Sequence, residues 1–117
     1  MLRNRALLTR VYPQDARFVM MLLDFIEGQE LKDILHHRRR LPEEEASCLL
    51  LQAMRAVAYM HAQRVVHRDI SPRNLLVTNA ACLYVIDFGL AVDLEGDLSD
   101  VSAGAGTMGY QVSLLLH

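Results

Sequence analysis

The sequence predicts an α+β fold, and three observations carry that reading. A stretch of some twenty residues ending near Gln63 repeats apolar side chains at helical spacing. A short apolar run over residues 18–25 is bounded by charge. The second half then breaks into short extended pieces separated by turn residues. With 117 residues the chain supplies one small domain, and a hydrophobic fraction of 52% excludes a disordered tail.

In chain order, residues 18–25 read as a buried strand, since a continuous apolar run of that length suits a strand covered on both faces. Glu27-Gly28-Gln29 ends it, and a short helix follows from Glu30 to about His37. Arg38-Arg39-Arg40 read as the solvated end of that helix rather than a nucleic-acid patch, because cations suit a helix C-terminus. Leu41-Pro42-Glu43-Glu44-Glu45 starts a second helix: proline fits the first turn and the carboxylates face the positive end of the dipole. Ala46, Leu49, Leu50, Ala53, Val57 and Met60 then mark its buried face, with Met54 and Met60 as core packing. The extended pieces are Val65-Val66, Leu75-Leu76-Val77 and Leu83-Tyr84-Val85-Ile86, the last two joined as a hairpin through residues 78–82. Residues 92–109, rich in Gly, Ser, Asp and Ala, read as a mobile surface segment.

Charge and cysteine usage narrow the partners. The net charge of −2, with no face rich in lysine and arginine, argues against nucleic acid as the main partner. Neither a signal peptide nor a membrane span is expected, because the longest apolar run near the start stops after six residues at Asp24. Cys48 and Cys82 make no C-x-x-C and no metal spacing, which suits a reduced, cytoplasmic protein. Eleven arginines accompany a single lysine, Lys32, so chemistry that needs a lysine has one candidate. Every lysine and arginine lies at or before Arg73, while five acidic residues follow it.

The chemistry concentrates in His67-Arg68-Asp69, Asn74 and Asp87-Phe88-Gly89. Pairing of residues 75–77 with 83–86 places Asn74 and Asp87 side by side at the open end of the hairpin. An amide oxygen and a carboxylate there suit a hard cation such as Mg²⁺. Asp69, five residues before Asn74, is then a carboxylate near the metal that accepts or orients the proton of an attacking hydroxyl. A base, two metal ligands and a hairpin to hold them are the minimum equipment for phosphoryl transfer. Taken singly, an Asp or Asn at a strand end is more often a turn former, and a histidine in apolar sequence a packed one. The joint order and spacing outweigh that reading.

His67-Arg68-Asp69-Ile70-Ser71-Pro72-Arg73-Asn74-Leu75-Leu76-Val77 closely resembles the catalytic loop of eukaryotic-type protein kinases, of the Ser/Thr type. Val85-Ile86-Asp87-Phe88-Gly89-Leu90-Ala91 resembles their magnesium-binding motif, and Gly106-Thr107-Met108-Gly109-Tyr110-Gln111 the end of their activation segment. The resemblance implies a protein-kinase-like fold running from the hinge through the catalytic loop to the activation segment. ATP and Mg²⁺ are its implied cofactors, and a protein its implied substrate. Asp69 would be the catalytic base, and Asn74 and Asp87 would hold magnesium. Leu76 would pack under adenine, with Leu23 as gatekeeper, backbone groups of Asp24 and Ile26 on adenine, and Glu30 on the ribose. His67 and Phe88 resemble members of the hydrophobic spine, and Arg68 would pair with a phosphate on the activation segment, for which Ser99 and Ser102 are candidates. Ser71 and Thr107 would lie on the substrate side.

The resemblance also implies parts that this sequence does not contain. No G-x-G-x-x-G occurs, Lys32 lies beyond the hinge, and Ser71 stands where Ser/Thr kinases usually carry a lysine. After Tyr110-Gln111, Val112-Ser113-Leu114-Leu115-Leu116-His117 replaces the Ala-Pro-Glu of the family. Residues 1–117 therefore read as a partial kinase domain. The glycine-rich loop, strand lysine, helix glutamate and most of the C-terminal lobe are expected to be missing from it, and little activity is expected of it alone. Two other functions fit less of the pattern: a non-catalytic truncated isoform or pseudokinase acting as an interaction module, and a small-molecule phosphotransferase.

Overall fold

The computed structural model describes residues 8–15, 18–93 and 107. Strands β1 (Leu8–Asp15) and β2 (Phe18–Leu23) form an antiparallel ribbon. They are followed by β3 (Gly28–Glu30), α1 (Leu31–Arg38) and α2 (Glu43–Ala62), then β4 (Val65–Val66). A single 3-10 turn, Pro72–Asn74, leads into β5 (Leu75–Thr78), and β6 (Leu83–Val85) and β7 (Val92–Asp93) complete the order. An α+β architecture is what the sequence predicts.

Helix α2 forms for the reasons its sequence offers. Pro42 sits at the N-cap, Glu43, Glu44 and Glu45 fill the first turn, and Ala46 N–H closes the first helical bond to Pro42 O at 2.9 Å. Leu49, Ala56 and Met60 are buried along one stripe, and Ala53 lies half-buried between them. Leu49 joins Leu75 and Leu83 in the core, with Leu31, Leu41, Val77 and Val85 packed against them. Each such leucine contributes about 2 kcal/mol by leaving water. Met54 departs from expectation: at 61% exposure it faces solvent, as does Leu50 at 60%. Leu50 nonetheless lines a small cavity with Leu49, Ala53, Leu75 and Leu83, where α2 packs against the hairpin.

Helix α1 ends at Arg39, whose φ of 65° breaks the helix while its N–H bonds Leu35 O at 2.8 Å. Arg39 and Arg40 are exposed, in keeping with a solvated helix end. Arg38 does more, donating bidentately to Glu45 on α2 at 2.6 and 2.8 Å and so joining the two helices across their turn.

Two of the three small sheets frame the loop between β4 and β5. In the central sheet the order is β3-β5-β6, with Glu30 opposite Leu76, and Leu75, Leu76 and Val77 opposite Val85, Tyr84 and Leu83. The 75–86 hairpin is therefore as the sequence predicts, whereas its partner β3 is an addition. Gly28 allows that addition: a Cβ there would stand 2.8 Å from Val77 O. In the second sheet β4 pairs with β7, with Val65 opposite Asp93 and Val66 opposite Val92. The expectation of a mobile segment over residues 92–109 is thus corrected at its start, where β7 is a strand. Apart from Thr107, the rest of that segment lies outside the described residues.

Strand β2 is correctly placed but is not buried. Met20, Met21, Leu22 and Leu23 are 48–60% exposed, because among the described residues β2 pairs with β1 alone and belongs to a separate sheet from the core hairpin.

Candidate active site

The loop leaving β4 is organised by His67, which is 2% exposed. Its Nδ1 accepts the N–H of Asp69 at 3.2 Å, and its Nε2 lies 3.0 Å from Ile86 O as donor. One ring nitrogen thus accepts while the other donates. The ring also meets Phe88 edge-on, at a centroid distance of 4.8 Å. A buried histidine thus ties the loop to the chain leaving β6 by a hydrogen bond and an aromatic contact. Arg68 follows in the left-handed region at φ 65°, where Nε donates to Leu90 O at 2.6 Å. An arginine there carries backbone strain, and strain of this kind gathers where surrounding contacts enforce it.

Asp69 is the centre of the arrangement. Asn74 donates one side-chain N–H bond to Asp69 O at 2.9 Å and another to Asp69 Oδ2 at 2.8 Å. On the other carboxylate oxygen, Oδ1, Thr107 places both its backbone N–H and its hydroxyl, each at 2.6 Å. The Thr107 hydroxyl above all, with the Thr107 N–H and the Asn74 amide adding, holds the carboxyl below its ordinary value against the opposing effect of burial. Asp69 is therefore ionised at neutral pH. A hydroxyl donating to this carboxylate is the geometry required to orient an attacking alcohol.

Asn74 is fixed by the hairpin. Its N–H bonds Ser71 O at 2.9 Å, and its O accepts Ile86 N–H at 3.0 Å. Across the ladder Asn74 thus faces Ile86, and Asp87 comes one residue later, turned out at φ 59° and exposed, with Gly89 N–H on its Oδ1 at 3.0 Å. Since both Asn74 N–H groups point at Asp69, its amide oxygen is directed away from that carboxylate. Among the described residues that oxygen accepts no hydrogen bond. An amide oxygen and an exposed carboxylate on neighbouring positions form the sparse, all-oxygen donor set that suits Mg²⁺. No group of three or more His, Cys, Asp or Glu among the described residues offers an alternative metal site.

The family profile of the protein kinase domain matches residues 7–113. The chain belongs to the protein kinase family. It is 38% identical over 97 residues to a probable serine/threonine-protein kinase of Zea mays, CCRP1, covering 83% of this chain and 16% of that protein. It is 38% identical over 96 residues to the serine/threonine-protein kinase cds1 of Schizosaccharomyces pombe, covering 82% and 20%. To CDPK-related kinase 4 of Arabidopsis thaliana it is 41% identical over 110 residues, covering 89% and 18%. The chain thus spans a fifth or less of the length of these relatives.

Within the kinase domain the expected site residues fall into groups. Contacts join His67 to Asp69 and Phe88, and Asp69 to Asn74 and Thr107, while Arg68 reaches Leu90 and Asp87 follows Ile86, the partner of Asn74. Glu30 and Leu76, both half-buried, are register partners on β3 and β5, so the ribose and adenine candidates are neighbours. Leu23 and Asp24 are exposed and Ile26 is half-buried. Ser71 is 2% exposed, and its Oγ has no hydrogen-bond partner among the described residues. Ser99 and Ser102 lie outside the described residues.

Gln52 was not anticipated from the sequence. From α2 its Nε2 donates to Ala81 O and its Oε1 accepts Leu83 N–H, both at 2.9 Å. It therefore serves the open edge of β6 as a neighbouring strand would. The signal was available: Gln52 interrupts the apolar stripe between Leu49 and Ala56, and a polar group on a buried face needs partners.

Proposed function

We propose that this kinase domain serves transfer of the γ-phosphate of ATP, with Mg²⁺, to seryl and threonyl hydroxyls of proteins. The observation that carries the proposal is the Asp69 carboxylate, bonded by Asn74 and Thr107, with Asn74 paired across the hairpin to Ile86, the residue before Asp87. Asp69 orients the acceptor hydroxyl and takes its proton late, as suits a carboxylate of lowered basicity. Asn74 and Asp87 hold the metal, which when bound supplies charge neutralisation at the phosphates. Glu30 and Leu76 contribute the ribose and adenine contacts. His67 keeps the loop registered on Ile86 and Phe88. The two free thiols suit a reducing compartment such as the cytoplasm. No helix among the described residues is long and apolar enough to cross a membrane.

Residues 1–117 contain one lysine, Lys32, exposed on α1, so the phosphate contact of a strand lysine has no source among them. Turnover by the isolated chain is accordingly expected to be slow. Incubation with labelled ATP, Mg²⁺ and mixed protein acceptors should place label on serine and threonine, and Asp69→Asn should abolish it. Label on sugars or aminoglycosides alone would move the assignment to a small-molecule phosphotransferase. A second reading, a non-catalytic interaction module, is favoured by the exposed Leu50, Leu51, Met54 and Tyr59 on α2. Capture of a partner that survives Asp87→Ala but not Leu50→Asp with Met54→Asp would support it.

A further inference from the structure

Arg73 is absorbed by none of the roles above. It occupies the middle of the 3-10 turn Pro72–Asn74, between Pro72, which is half-buried, and Asn74, which is 8% exposed. The backbone on either side is pinned by Asn74 N–H on Ser71 O and by Ile86 N–H on Asn74 O. With its neighbours turned inward, Arg73 projects to solvent from a fixed base. No ion pair or hydrogen bond engages its side chain among the described residues. Arg68, the loop's other arginine, is already committed to Leu90 O.

Position supplies the second half of the argument. Arg73 adjoins Asn74, whose amide bonds Asp69 at both the backbone oxygen and Oδ2. Four residues of chain separate Arg73 from Asp69, no more than about 14 Å even when fully extended. A substrate segment in extended form covers about 3.4 Å per residue. A side chain within about three residues of a hydroxyl bound at Asp69 therefore comes within reach of the guanidinium. An unpartnered guanidinium is a planar fork for a carboxylate or a phosphate, and it repels lysine and arginine.

We infer that Arg73 is a specificity-determining residue that selects protein substrates with an anionic side chain, carboxylate or phosphate, within about three residues of the acceptor hydroxyl. The inference rests on the phosphotransferase reading above, and its test separates the two because it reads binding rather than transfer. Fluorescence anisotropy of the full chain would be measured with labelled peptides that each carry one serine. The neighbouring positions are varied in turn to aspartate, phosphoserine, alanine or arginine. At low salt the aspartate peptides should bind about three- to fivefold more tightly than the alanine peptide, and the preference should fade at high salt. Phosphoserine should exceed aspartate if the site favours phosphate and match it if charge alone is read. Arg73→Glu should invert the order in favour of arginine, whereas Arg40→Glu, on the exposed turn after α1, should leave it unchanged. Equal affinities, loss of the preference in Arg40→Glu alone, an equal effect of aspartate placed far from the serine, or no measurable binding of any peptide would each overturn the inference. Loss of Asp69-dependent phosphorylation with the binding order intact would instead count against the kinase reading alone.

Discussion

The 67–86 loop and hairpin and the β1-β2 ribbon are both short and antiparallel, yet they are held in different ways. The loop and hairpin are bound to elements distant in sequence by named polar contacts: His67 to Ile86, Arg68 to Leu90, Gln52 to Ala81 and Leu83, Thr107 to Asp69. Their apolar side chains, Leu75 and Leu83, are buried against Leu49. The ribbon is held by pairing of its two strands, and the β2 side chains from Met20 to Leu23 stay about half exposed. Hydrogen bonding makes a strand. Only packing on a second layer makes it contribute much to stability, and a two-stranded ribbon on its own is marginal in water.

The largest effect expected from this contrast is at Leu83. Truncation by Leu83→Ala, at a residue 2% exposed, should lower unfolding stability by about 3 kcal/mol, whereas Leu22→Ala in the ribbon should change it by less than about 0.5 kcal/mol. Urea titrations of the two variants would measure both values. Similar losses at the two sites would remove the distinction between the regions.

The same contrast explains what could be read from the amino-acid order. Helix α2 and the 75–86 hairpin are legible because their signals are local: helical spacing from Leu49 to Met60, and two apolar runs around a short turn. Asp69 and Asn74 are legible as a pair for the same reason, being five residues apart in one loop. Strand β1 escapes because Tyr12-Pro13-Gln14 interrupts any alternation with a residue that usually marks an edge or a bend. The β3-β5 pairing and the Thr107 contact escape detection by pattern because their partners lie tens of residues apart, and no periodicity reports on them. Family resemblance alone puts Thr107 on the substrate side. The exposure of β2 was misread because an apolar run shows that a strand can be buried, without showing that anything covers it.

Gln52 tests whether the polar contacts matter as much as the apolar ones. Gln52→Leu leaves Ala81 O and Leu83 N–H without their partner, at a cost of about 2 kcal/mol. Hydrogen exchange should accelerate at Leu83 and leave the amides in the first half of α2 unchanged. Gln52→Glu sharpens the test. Its carboxylate still accepts from Leu83 N–H but repels Ala81 O, and protonation restores the lost donor. Its stability relative to wild type should therefore improve as pH falls through the glutamate range, which a purely steric role for Gln52 would not produce.

Thr107 should give a smaller effect with a defined pH dependence. The Asp69 carboxyl is held below its ordinary value near 3.8, so the folded state binds the proton more weakly than the unfolded chain. Its contribution to stability is full above the ordinary value and is lost as pH falls through the lowered one. Thr107→Ala removes the hydroxyl bond and keeps the N–H bond, so it should cost about 1 kcal/mol at pH 7. The difference from wild type should shrink as pH falls through the lowered value and vanish once the carboxyl is protonated in both. A difference that persists unchanged into acid would show that Thr107 acts through packing rather than through the carboxylate.

The smallest expected effect is at Ser71, where the loop departs from its own pattern. Its neighbours in the network satisfy one another, while Ser71 Oγ is buried without a partner among the described residues. A hydroxyl in that position loses its water and gains nothing in return, at a cost of about 1–3 kcal/mol relative to an apolar group of the same shape. Ser71→Ala should therefore leave stability unchanged or raise it by up to about 1 kcal/mol, opposite in sign to Gln52→Leu. Family resemblance places this residue on the substrate side, and the buried Oγ argues that the hydroxyl is not what faces substrate. If Ser71→Ala weakens peptide binding without loss of stability, the loop must open to expose Oγ when substrate arrives. If both stay at wild-type values, the polar contacts of the loop serve position, and Ser71 keeps its place without one.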